Sequence, residues 1–94
     1  MTDQELHTVV SGILRSRVPD AGFQGVEVRS GLDSGGEPVI HVVAHYRRRP
    51  NVKPDPLLAV GPVLQSELFA RGEDRFILLK NEVDEEQDVG EDID

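Results

Sequence analysis

The 94-residue chain has no cysteine, which excludes disulfides, thiolate metal centres and cysteine nucleophiles. It is also poor in aromatics: Phe23, Tyr46, Phe69 and Phe76 are the complete set. A core must therefore be built mainly from Val, Leu and Ile. No apolar run approaches the roughly 20 residues that cross a bilayer. The opening segment, MTDQELHTVV, lacks a basic region followed by an apolar stretch, so no secretory signal is expected. A chain of this length holds one domain, and a small domain buries a smaller share of its surface than a large one. The expectation is a soluble cytoplasmic bacterial protein of modest stability that needs no cofactor.

Charge is plentiful but unevenly placed. The formal net charge is -8. Residues 82–94, EVDEEQDVGEDID, carry eight acidic side chains and no basic one, whereas residues 1–81 carry ten of each sign. A dense run of like charge with few apolar residues cannot offset its ordering entropy by burial. The sequence therefore divides into a single domain over 1–81 and an acidic tail over 82–94 that is expected to be disordered.

The domain opens with a helix. TDQE forms a capping box, with Thr2 as N-cap and Glu5 three positions later. Leu6, Val9, Val10, Ile13 and Leu14 then recur on one helical face, and Pro19 and Gly22 end the element near residue 18. From Gly25 the period becomes two: Val26 and Val28 alternate with Glu27 and Arg29. GLDSGGEP reads as a hairpin connection, and VIHVVAHYR as the partner strand. Ile40, Val42, Ala44 and Tyr46 share one face of that strand; Val39, His41, Val43, His45 and Arg47 share the other.

A second helical stripe, Leu57, Val60, Leu64 and Leu68, spans about residues 55–70 and is interrupted by Gly61-Pro62. Proline removes a hydrogen bond to the Leu58 carbonyl, so a kink or two short helices are expected. RFILLKN reads as a third strand, apolar on both faces. The element order predicts an α+β fold, a two-layer αββαβ sandwich. Both helices cover one face of a three-stranded sheet, the second helix is kinked at Gly61-Pro62, and a right-handed crossover makes the last two strands parallel.

No catalytic constellation emerges. DSGG at 33–36 matches the nucleophile segment of trypsin-like proteases in letters only. It falls in the predicted hairpin turn, where Asp, Ser and Gly are selected for backbone reasons. His41 and His45 lie four residues apart, about 13 Å along a strand, too far to share one metal ion. A histidine paired with Glu27 across the hairpin fits better, and no metal site is expected. With no nucleophile, base and orienting group to assemble, the chain reads as non-enzymatic.

Two resemblances add to this. AVGPVLQSEL, residues 59–68, is similar to the kinked Ala-x-Gly helix of the ribosome-binding factor A family, a KH-like group. That similarity implies an RNA-binding or ribosome-associated module, but Glu67 is the only charge between Ala59 and Ala70. VEVRSGLDSGGEPVIHVVAHY with RFILLKNEVDEE resembles small bacterial αββαβ proteins, some encoded in two-gene pairs of toxin–antitoxin type. That resemblance implies a partner protein and names no catalytic residue.

The remaining question is where contact is made. With both helices on one face, the other face is open, and an apolar patch or an unpaired strand edge there suits a protein partner or a second copy. The candidate contact residues are Val39, His41, Val43 and His45 on that face, with Arg47, Arg48 and Arg49 as its rim. Nucleic acid binding through the arginines is the alternative, with the acidic tail as a self-masking element. No membrane association is expected.

Overall fold

A computed structural model describes residues 1–49 and 56–84. Of the tail expected to be disordered over 82–94, residues 85–94 lie outside the described residues, as do residues 50–55 of the basic loop; residues 82–84 are described.

Helix α1 spans Asp3–Arg17 and starts as its sequence dictates. The Glu5 N–H donates to the Thr2 hydroxyl at 3.1 Å, and the Thr2 N–H donates to the Glu5 carboxylate at 2.8 Å. Leu6, Val10 and Leu14 face inward and are fully buried. A 3-10 turn over Pro19–Ala21 follows, then Gly22 at φ 67°, in the left-handed region that glycine tolerates best.

Strand β1 (Phe23–Leu32) pairs antiparallel with β2 (Pro38–Tyr46), placing Val28 opposite Val42 and Arg29 opposite His41. The turn between them is organised by Asp33. One of its carboxylate oxygens accepts from the N–H of Gly35 at 2.8 Å and of Glu37 at 2.9 Å. DSGG is therefore a turn, and Ser34 lies within it.

Helix α2 runs without a break over Pro56–Ala70, with Pro62 inside it, so two short helices do not form. Strand β3 (Phe76–Val83) pairs parallel with β2, giving the order β1-β2-β3. It continues two residues past the expected domain boundary at 81, because Val83 is a buried core residue. The entry to β3 is held by one side chain of α2. The Gln65 carbonyl accepts from the Ile77 N–H at 2.9 Å, and its amide donates to the Arg75 carbonyl at 3.1 Å.

The layers follow the alternation. Val26, Ile40, Val42, Ala44, Tyr46 and Val83 pack against Leu6, Val10 and Leu14 of α1 and Leu57, Val60, Leu64 and Leu68 of α2. Both helices thus cover one face of a mixed three-stranded sheet, an α+β two-layer arrangement.

Candidate interaction surface on the open sheet face

The register fixes what the uncovered face presents. Val39, His41, Val43 and His45 of β2 lie between Gly31, Arg29, Glu27 and Gly25 of β1 and Phe76, Leu78, Lys80 and Glu82 of β3. The face has two chemically different ends. Near the start of β2 it is apolar: Phe76 is 63% exposed and Leu78 46% exposed, and half-buried Val43 lies further along, opposite Lys80. The Phe76 ring meets Phe69 of α2 edge to face at a centroid distance of 6.1 Å, which extends the apolar surface onto the helix layer.

Toward the end of β2 the face is polar and internally paired. His45 Nε2 lies 2.7 Å from a Glu27 carboxylate oxygen, and Nδ1 lies 3.5 Å from Glu82. Lys80 in turn approaches Glu82 at 3.2 Å. The carboxylate expected to meet a histidine across the hairpin is therefore Glu27, and its partner is His45. Among the described residues, no group of three or more His, Asp or Glu side chains is arranged to hold a metal ion.

The expected contact set needs correction at three points. Val39 is on the predicted face but is 2% exposed, in the middle strand between Gly31 and Phe76. His41 is half-buried over Gly31, where a Cβ on residue 31 would come within 2.8 Å of the imidazole; a glycine is needed for that ring position. Arg47 is not a strand residue. Its N–H donates to the carbonyls of Ala21 and Gly22, and the Arg48 N–H donates to Ala21, all at 3.0 Å.

The arginines also do not rim the apolar end. Phe76 pairs with Val39 at the start of β2, whereas Arg47, Arg48 and Arg49 follow its end at Tyr46. Eight residues of extended chain separate Val39 from Arg47, about 26 Å. The structure thus separates Phe76 and Leu78 from the arginines, with Val43 midway along β2, opposite Lys80. Nor is the β3 edge wholly open: Gln65 already occupies the Ile77 N–H, which limits strand addition at the apolar end.

Phe76, Leu78 and Phe69 are exposed apolar residues that the expected contact set does not name, as are Leu32 and Leu58 elsewhere on the surface. Periodicity alone could not say which pair of β3, Phe76 and Leu78 or Ile77 and Leu79, faces outward. A usable signal was the composition of α2, apolar around most of its circumference with Glu67 as its only charge.

The sheet end at Arg47 has its own construction. Phe23 and Tyr46 are paired in register and meet edge to face at 5.8 Å, and the Arg15 guanidinium lies over the Phe23 ring, 5.4 Å from its centroid. Arg47, Arg48 and Arg49 are exposed at the same end. No family model, curated protein or solved structure matches this chain.

Proposed function

We propose that this protein is a small non-enzymatic interaction module, antitoxin-like or an adaptor, that binds a protein partner or a second copy of itself through the open sheet face. One observation carries the reading: Phe76 and Leu78 are exposed side by side on a face that neither helix covers, and half-buried Val43 follows one same-face position beyond Leu78, opposite Lys80. Large apolar side chains grouped on an uncovered sheet face lose water contact favourably when a partner covers them. The acidic tail gives such a module long-range attraction for a basic partner, an effect that weakens as salt rises. Association with a second copy has the opposite salt dependence, since two chains of charge -8 repel.

The test compares wild type with Leu78→Glu and Val43→Glu. Self-association is measured by sedimentation velocity, and partner capture from the native host's lysate is measured with and without nuclease. Both variants are expected to retain the native circular dichroism spectrum and to lose association. If both associate as wild type does, the sheet-face reading is wrong.

A further inference from the structure

β1 is an edge strand, and its register shows which of its backbone groups are unused. At the hairpin the Asp33 N–H donates to the Glu37 carbonyl at 2.9 Å, which makes these two residues a hydrogen-bonded pair. Such pairs alternate along an antiparallel ladder. Gly31, Arg29 and Glu27 therefore turn their N–H and C=O groups toward Val39, His41 and Val43, while Val26, Val28 and Ser30 turn theirs away from the sheet. Among the described residues, no backbone hydrogen bond crosses that outer edge. The opposite edge differs, because Gln65 occupies the Ile77 N–H of β3. An open row of main-chain donors and acceptors is a template for another strand.

Side-chain charge selects the strand that fits. Glu27 and Arg29 flank Val28, and both are exposed on the open face. A second β1 laid antiparallel, outward groups against outward groups, places a two-fold axis within this charged segment at residue 27, 28 or 29. At 27 the Glu27 side chains of the two copies stand opposite each other, and at 29 the Arg29 side chains do; like charges directly opposite are destabilising. At 28 each Glu27 stands opposite the partner's Arg29, in the non-hydrogen-bonded pairs where side chains come closest. Both groups have capacity for this. Among the described residues no carboxylate pairs with Arg29, and His45 engages Glu27 through Oε2, which leaves Oε1. Val28, half-buried in the single chain, meets the partner's Val28 at the axis.

We propose that β1 is a self-association edge that pairs with β1 of a second copy, antiparallel about a two-fold axis at Val28. Val28 exchanges two hydrogen bonds with the partner's Val28, and Val26 does the same with the partner's Ser30. The two three-stranded sheets become one continuous sheet. The occupant is a second copy because the charge order of β1 is complementary to its own reverse, and a two-fold axis uses that complementarity on both sides. This contact is separate from the open face. Phe76 and Leu78 belong to β3, at the other edge of the sheet, and they stay exposed when β1 pairs.

The test uses the full chain at physiological salt, which screens the repulsion between two chains of net charge -8. Leu78→Glu removes association through the face, so a dimer that persists in this variant, by sedimentation velocity at millimolar protein, reports the edge alone. In that background Glu27→Arg and Arg29→Glu each put like charges opposite and are expected to weaken the dimer about tenfold. Glu27→Arg/Arg29→Glu together restore the complementary pairs and the dimer with them. Amide exchange followed by NMR on wild type needs no substitution. The Val28 and Ser30 N–H groups are expected to be protected at millimolar protein and to exchange freely on dilution, while Ile77, held by Gln65, stays protected throughout. The proposal is overturned if Leu78→Glu is monomeric under these conditions, if the double charge reversal stays as weak as the single ones, or if Val28 exchange is independent of concentration.

Discussion

The Tyr46 ring packs edge to face on Phe23, while its hydroxyl is buried with no hydrogen-bond partner among the described residues. Burial pushes the phenol pKa up to about 12, so the group stays neutral across the accessible pH range. An unpaired buried hydroxyl has given up its water without compensation. Tyr46→Phe keeps the ring contact and removes that cost. Its stability in urea is expected to match wild type or exceed it by about 1 kcal/mol. A loss of more than about 1 kcal/mol would reveal a partner for the hydroxyl.

Gly22 and Arg47 make the second prediction. Alanine at 22 would have to adopt φ 67° and bring its Cβ within 2.9 Å of the Arg47 Cβ, which is fixed to the backbone and cannot swing aside. Left-handed strain alone costs roughly 1–2 kcal/mol for a residue with a side chain. Gly22→Ala is expected to lower unfolding stability by about 2 kcal/mol or more, measured as a shift of the urea midpoint at unchanged slope. A neutral result would show that the 3-10 turn and the arginine segment shift apart at little cost.

The third prediction concerns acid. Glu73 is 4% exposed, and its carboxylate accepts from the Arg75 guanidinium at 2.8 and 3.1 Å. Those bonds, outweighing desolvation and aided by the Arg75 N–H and the Met1 ammonium, lower its pKa from 4.5 to about 2. A carboxylate with a lowered pKa in the folded state stabilises the fold above its unfolded pKa. That contribution is lost as pH falls from about 4.5 through about 2. Wild type is therefore expected to lose stability across this window more steeply than Glu73→Gln, and the gap between them at pH 7, up to about 3 kcal/mol, narrows toward pH 2. Parallel urea-stability curves for the two proteins would show that the bonds to Arg75 do not discriminate between the charge states of Glu73.

Local chemistry made much of the fold legible. The capping box at Thr2 and Glu5, the period-two alternation in Val26–Arg29 and the Asp-Ser-Gly-Gly turn each depend on residues within a few positions of one another. Burial is less local. Val39 and Val43 share a parity and a side-chain type, yet Val39 is closed over and Val43 is half open. Their cross-strand neighbours differ: Gly31 and Phe76 for Val39, Glu27 and Lys80 for Val43.

The sequence by itself determined the element order, the helix-facing stripe and the concentration of negative charge after residue 81. Periodicity, capping and turn chemistry act over short distances and are written directly in the chain. Only the tertiary structure decided that Phe76 and Leu78, rather than Ile77 and Leu79, face outward. It also decided that Gln65 guards the entry to β3 and that the arginines stand about 26 Å from the apolar end but directly beside the start of the acidic segment. Those outcomes depend on the direction and register in which β3 docks on β2. That pairing joins segments some 37 residues apart and is set by how both helices and the whole sheet share one core.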